Sequence, residues 1–289
     1  MVTSVMTGAL RRTLTITAVL ATCAIVAPRT SAQTPAQQPQ QPQQPFEPTV
    51  GQSGKDVVWV PTPPELVEKM LDMAAVTAND VVMDLGSGDG RNIIAAAKRG
   101  ARAIGVEYNP DMVKLSQQHA REAGVGDKAT FIEGDMFEAD ISAATVLALF
   151  LLPDNLDKLK DKFLRLRPGT RIVLNTFSVH NWEPDIVEKI EGTCQSWCTS
   201  MLYIVPARAA GTWTTPQGEL LLNQEFQIVT GVLTTGGKSL PLAGGKLRGD
   251  QITFTAAGAE YAGKVSGDRI EGTVAADGKR QAWTATRAK

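Results

Sequence analysis

The stretch Val81-Val82-Met83-Asp84-Leu85-Gly86-Ser87-Gly88-Asp89-Gly90-Arg91 restricts the fold more than any other part of the chain. Its apolar start reads as a short buried strand. Its three alternate glycines read as a tight turn onto a helix beginning near Asn92. Glycine lets the backbone pass close to a ligand where a Cβ would clash. The helix start behind the turn adds free N–H groups and a partial positive charge. Such a turn holds a small molecule against its backbone. The nicotinamide fingerprint needs a glycine at the sixth position from Gly86, where Arg91 stands; the phosphate-cradling loop needs Lys-Ser/Thr, where Arg91-Asn92 stands. Neither motif fits.

What remains, Asp-Leu-Gly-x-Gly-x-Gly, resembles the first motif of class I S-adenosylmethionine-dependent methyltransferases. Two acidic positions add to it. Glu107 closes the apolar run Ala103-Ile104-Gly105-Val106 ahead of Asn109-Pro110, and Asp135 follows Thr130-Phe131-Ile132-Glu133-Gly134. A carboxylate at the end of a second strand can accept from both ribose hydroxyls. One at the end of a third can accept from an adenine amino group, with Met136 packed on the ring. Ligands of open α/β sheets lie at the carboxyl ends of strands, where these residues fall. By resemblance, Asp84, Gly86, Ser87 and Gly88 follow the methionine part of the cofactor. Taken singly, each acid also reads as a cap or a solvated strand end. The ordered set of three carries the cofactor reading.

Residues 1–32 have the layout of a secretory signal peptide: Arg11-Arg12, an uncharged apolar run from Leu14 to Ala27, then Thr30-Ser31-Ala32. The run is shorter than the roughly 20 residues of a membrane helix, and no stable span is expected after cleavage. The paired arginines also fit export of a folded protein. Removing this segment leaves 26 basic residues against 30 acidic, a net charge of −4, so no basic excess points to nucleic acid or to an anionic membrane surface. The expected location is a bacterial periplasm or cell envelope. Residues 33–55 form a Pro/Gln-rich linker with too little apolar surface to bury a core. Cys194 and Cys198 read either as a local disulfide or as two buried thiols, and no cluster with metal-ligand spacing accompanies them.

Pro63-Pro64 opens a helix with Leu66, Val67, Met70, Leu71 and Ala74 on one face, and Thr62 is placed to cap it. Strands and helices then alternate from Val81 to Ser178, which predicts a doubly wound, mostly parallel sheet. Residues 185–193 and 199–205 close it as an antiparallel pair, with the two cysteines at their turn. After Pro206 the texture changes to Gly, Thr and alternating apolar residues. Gly249-Asp250 and Gly267-Asp268 stand in similar settings and read as hairpin turns. The expectation is a methyltransferase domain over 56–206 and a small antiparallel barrel or sandwich over 207–289. Within the latter, Arg248-Gly249-Asp250 reads as a plain turn.

Three stretches narrow the resemblance: Val60-Pro61-Thr62-Pro63, then Asp84 to Gly100, and His180-Asn181-Trp182-Glu183-Pro184-Asp185. Together they resemble the protein-lysine methyltransferases of the ATP synthase c-subunit type and their bacterial relatives, over roughly residues 56–205. The resemblance implies a seven-stranded Rossmann-like methyltransferase sheet, S-adenosylmethionine as cofactor and no metal. Methyl transfer from a sulfonium needs alignment and exclusion of water. A lysine nucleophile must also lose its proton, which an apolar site assists. No strict general base is required, and no catalytic residue is assigned. Substrate contacts are expected after the fourth strand, at Phe150, Leu152, Pro153 and Asn155. There Phe-Leu-Leu-Pro replaces the Asn/Asp-Pro-Pro-aromatic of many methyltransferases, which leaves lysine or a small molecule as acceptor. Trp182 reads either as a wall of the acceptor channel or as a core tryptophan. His180 and His119 read as surface histidines. One tension stands: the cofactor is made in the cytoplasm, whereas the leader directs export. The alternative is an exported, non-catalytic binding protein that keeps this fold and uses its β region for a partner. Intact Asp84, Gly86 and Glu107 favour the enzyme.

Overall fold

The computed structural model describes residues 46–192 and 194–289, with Thr13 alone upstream. The expected leader and most of the tether therefore lie outside the described residues. The chain from Pro45 to Lys289 packs as one unit. Order begins earlier than residue 56. The Gly51 N–H donates to the Trp59 carbonyl and the Trp59 N–H to the Gln52 carbonyl, both at 2.9 Å, and Ser53 bridges Val58. Residues 49–59 are thus a folded strap rather than linker. The reason is apolar content: Val57 packs on the core of the sheet.

Helix α1 (Pro64–Met73) buries Leu66, Val67, Met70 and Leu71 on one face. Thr62 does not cap it: the N-cap is Pro63, without a side-chain bond, and the Thr62 Oγ1 instead accepts from Asn175 Nδ2 at 3.2 Å. There follow β1 (Val81–Leu85), α2 (Arg91–Lys98), β2 (Arg102–Glu107), α3 (Pro110–Glu122), β3 (Ala129–Glu133), β4 (Val146–Leu149), α4 (Pro153–Phe163), β5 (Arg171–Asn175), β6 (Ile186–Lys189) and β7 (Thr199–Ile204). The sheet has the order β3-β2-β1-β4-β5-β7-β6. Strands β1 to β5 are parallel, and β7 runs antiparallel to both its neighbours. The near-continuous burial of β1, β4 and β5 is what a parallel strand covered on both faces requires. Strand order reverses between β1 and β4, and the crevice at their carboxyl ends is where such sheets bind ligands. At the opposite end, Asp80 pairs with Arg171 and accepts from the Thr145 hydroxyl, tying β1, β4 and β5 together.

The remaining chain forms β8 (Gly211–Thr215), β9 (Gly218–Glu225), β10 (Ile228–Thr235), β11 (Lys238–Pro241), β12 (Ala243–Arg248), β13 (Gln251–Ala256), β14 (Ala259–Ser266), β15 (Arg269–Ala276) and β16 (Lys279–Arg287). Pairing of β9 with β10 closes an antiparallel barrel, and β11 extends β10 at its rim. Strict alternation of buried and exposed residues along β13 and β14 sets one face inward. The interior is packed with rings: Phe254 stacks on Tyr261 at 4.8 Å, and Trp283 meets both edge-on. Closure leaves no strand edge around the ring. Both Gly-Asp pairs sit at hairpin turns. A Cβ on Gly249 would lie 3.0 Å from Gly169 Cα, so the Arg248-Gly249-Asp250 turn is packed against the α/β sheet. The other main joint is Phe226, whose ring stacks on Trp182 at 5.4 Å.

Candidate active site

The carboxyl ends of β1, β2 and β3 bring the three predicted acids to one cleft. Its larger hollow is lined by Asp84, Gly86, Ser87, Gly88, Glu107 and Phe150, together with Gln52 to Gly54 and Val57 to Trp59 of the strap and Val60 to Thr62 after it. An adjoining hollow shares Gly86 and Glu107 and adds Lys55, Tyr108, Asp135 and Met136.

The glycine turn is held from below by the Gly86 and Ser87 N–H groups, which donate to the Val106 carbonyl at 2.8 and 3.0 Å. Gly88 and Gly90 both have positive φ, 55° and 84°. A Cβ on Gly88 would lie 2.7 Å from the Trp59 indole nitrogen, and one on Gly90 2.7 Å from the Phe131 ring. Gly88 thus admits the strap, and Gly90 lets α2 start against β3. Ser87 turns its hydroxyl toward Gly105, where a Cβ would meet it at 2.6 Å, so its main chain borders the turn.

Asp84 is 4% exposed. One oxygen accepts from Asn92 Nδ2 at 3.0 Å; the other has no partner in the protein. Burial pushes its carboxyl well above the usual carboxylate range, against the pull of the Asn92 hydrogen bond, and Glu107 and Asp89 push the same way. A buried acid with a spare oxygen suits a cationic ligand group. Glu107 accepts from the Gly88 N–H and the Asn109 N–H, both at 2.9 Å. Each oxygen retains a lone pair, which suits a pair of hydroxyls. Asp135 accepts from the Phe137 N–H at 2.8 Å and pairs with Lys55 Nζ at 2.5 Å. The Lys55 hydrogen bond, then that of Phe137, holds its carboxyl below the usual range. Lys55 also lies over the Tyr108 ring at 5.1 Å. The carboxylate acceptors and the orphaned Asp84 oxygen fit a cationic nucleoside such as S-adenosylmethionine.

A profile for the ANTKMT methyltransferase domain matches residues 84–186. A protein-lysine N-methyltransferase from Saccharolobus islandicus is 43% identical over 138 residues, which is 47% of this chain and 86% of the relative. The human lysine N-methyltransferase of the ATP synthase c-subunit is 32% identical over 166 residues, 52% of this chain and 70% of that protein. The chain belongs to this family of protein-lysine methyltransferases. It is an S-adenosylmethionine-dependent methyltransferase. A solved structure described as an RNA methyltransferase from Salinibacter ruber with S-adenosyl-L-homocysteine is 45% identical, with a TM-score of 0.49, over 52% of this chain and 96% of that one.

Of the expected acceptor contacts in this methyltransferase, only Phe150 lies in the cleft. Leu152 is 42% exposed, and Pro153 begins α4 outside the cleft lining. Asn155 is buried and donates to the Asp56 carbonyl at 3.1 Å, so it anchors the strap. Trp182 is buried at 2% exposure between Tyr203 and Phe226. It belongs to the joint with the barrel, because the Phe226 turn supplies a ring that no pattern near residue 182 announces. His119 is not free in solvent: its Nδ1 lies 3.2 Å from the Asp89 carbonyl.

Sequence reasoning misses the first part of the strap, residues 49–55, which it assigns to the linker. Arg91 holds the segment just after it, donating to the Thr62 carbonyl at 2.7 Å while paired with Asp89 at 2.6 Å. The available signal is Val57-Val58-Trp59-Val60, an apolar cluster directly after a polar tract. Sequence reasoning also misses Asn92, which supports Asp84; its place in the first turn of the helix after the glycines is the available cue. The cysteines form a disulfide with a Cα–Cα distance of 5.8 Å.

Proposed function

We propose that this methyltransferase methylates the ε-amino group of a protein lysine. The observation that carries the reading is the acceptor end of the cleft, where β4 delivers the ring of Phe150 and no amide or carboxylate side chain stands at the adjoining positions 151–153. An aromatic wall suits an alkyl stem and an amine, and with no amide or carboxylate beside it the wall offers an acceptor amide no side-chain hydrogen-bond partner. The names of the relatives support the same choice.

When bound, S-adenosylmethionine would supply an electrophilic methyl to the amine, with the thioether as leaving group. Asp84 is assigned to the cationic methionine end, Glu107 to the ribose hydroxyls, and Asp135 with Met136 to adenine. Lys55 must then yield Asp135 to the adenine amino group. Gly86, Ser87 and Gly88 present main chain along the methionine part. The strap excludes water, and the apolar wall favours the neutral amine. The amine's proton leaves to solvent before transfer. The protein is read as exported, a reading supported by the leader pattern and by the Cys194–Cys198 disulfide. The barrel is read as a partner-binding module.

The test is incubation with methyl-labelled cofactor and two acceptors in parallel, bacterial envelope protein and total RNA, followed by hydrolysis. Label in Nε-methyl-lysine is expected. Label confined to nucleotides, or to small molecules, refutes the reading.

A further inference from the structure

Phe150, which lines the cleft, also belongs to a cluster of three rings. The Phe150 and Phe177 centroids lie 6.1 Å apart, and Trp197 completes the triangle at 5.5 Å from Phe150 and 5.7 Å from Phe177. They come from three separate segments: the end of β4, the end of β5, and the loop closed by Cys194 and Cys198. This is not ordinary core, for Trp197 remains 39% exposed.

Two of the rings are held by costly backbone. Trp197 has φ 60°, and Thr176, directly before Phe177, has φ 59°. Bulky and β-branched residues are rare there, and such a conformation persists only where its surroundings hold it. Here they do. The Thr176 N–H donates to the Thr199 carbonyl at 2.8 Å, and its hydroxyl donates to Asn175 Oδ1 at 2.9 Å. The Trp197 loop is closed by the disulfide, and the Ile190 N–H donates to the Cys198 carbonyl at 2.9 Å. Strain of this kind gathers at binding sites, and here it lies beside a tryptophan ring that remains open to solvent.

We propose that Phe150, Phe177 and Trp197 form an aromatic collar that grips the acceptor, taking the alkyl stem and methylated ammonium of a lysine side chain against their ring faces, with the disulfide holding Trp197 in place. The proposal rests on the lysine reading above. Ring faces attract alkylammonium groups and pack the four-carbon stem. A collar of this kind also retains a partly methylated lysine between transfers. Phe177 and Trp197 are then acceptor-specificity residues, separate from the carboxylates assigned to the cofactor.

The test uses a small probe, Nα-acetyl-Nε,Nε,Nε-trimethyl-lysine methylamide, titrated into the full protein saturated with S-adenosylhomocysteine. Wild type should bind it. Trp197→Ala and Phe177→Leu should each weaken binding about tenfold, and Trp197→Phe should restore most of it. Reduction of the disulfide should weaken it as Trp197→Ala does. Affinity for S-adenosylhomocysteine should stay within about twofold throughout, which shows that the variants are folded. Equal probe binding by wild type and Trp197→Ala overturns the collar, as does absence of probe binding to a wild type that binds S-adenosylhomocysteine. Failure of the lysine reading is separate: probe binding and its loss in Trp197→Ala would persist while no label reached lysine.

Discussion

Replacing Asp84 by Asn tests whether the site trades stability for ligand binding. The wild-type carboxyl is buried, bonded through one oxygen to Asn92 and unpartnered at the other, and burial raises its pKa well above the usual value of 3.8. The folded state therefore binds this proton more tightly than the unfolded chain does. Between pH 3.8 and the raised folded value, stability falls as pH rises, and above that value it levels off. Asp84→Asn keeps the shape and the acceptor for Asn92 but removes the titration, so this pH slope should disappear and the ligand-free protein should not lose stability at neutral pH. Binding should suffer instead. A hydrogen bond to a charged group contributes about 1.5–3 kcal/mol, so S-adenosylmethionine should bind roughly 10- to 150-fold more weakly. Calorimetric titration, with thermal unfolding from about pH 4 to 9, measures both. The reasoning is refuted if Asp84→Asn binds the cofactor within about twofold of wild type, or if its stability keeps the wild-type pH slope.

Other outcomes follow from the same geometry. Lys55→Ala frees Asp135 and should tighten cofactor binding about two- to fivefold, fading at high salt; weaker binding would mean that Lys55 contacts the cofactor. Gly88→Ala puts a Cβ at positive φ against Trp59, costing at least about 1–2 kcal/mol, and should lower both the melting temperature and cofactor affinity. Trp182→Ala should cost about 3–5 kcal/mol by denaturant unfolding, with cofactor affinity unchanged under native conditions; a selective loss of acceptor binding would return Trp182 to the site. Cys194→Ser with Cys198→Ser opens a loop of sequence separation 4 and should lower stability by about 2 kcal/mol at most, measured by chemical unfolding.

The cofactor half of the site is legible in the sequence because it is local. Strand, glycine turn and helix are contiguous from Val81 to Lys98, and the acids at 84, 107 and 135 stand late in a strand or within two residues of its end, where the strand pattern puts them. The barrel is legible as a class for the same reason: two-residue alternation and Gly-Asp turns recur along it. Closure is not legible, because pairing β9 with β10 while β16 meets β8 depends on how the whole sheet coils. The acceptor half reads least well. Asn155 and Trp182 carry the right chemistry for a site, yet one anchors a strap 99 residues away in the chain and the other meets a ring on the barrel.

Patterns of turn and period therefore determined the elements, their order, the glycine turn and the strand-end positions of three carboxylates, and the resemblance supplied the cofactor. Only the tertiary structure decided that residues 49–59 cover the cleft, that Trp182 is joint rather than site, and that Phe150, Phe177 and Trp197 converge. Each of those outcomes is a contact between segments far apart in sequence, set by packing and chain crossing, and none of them leaves a periodic trace in the sequence itself.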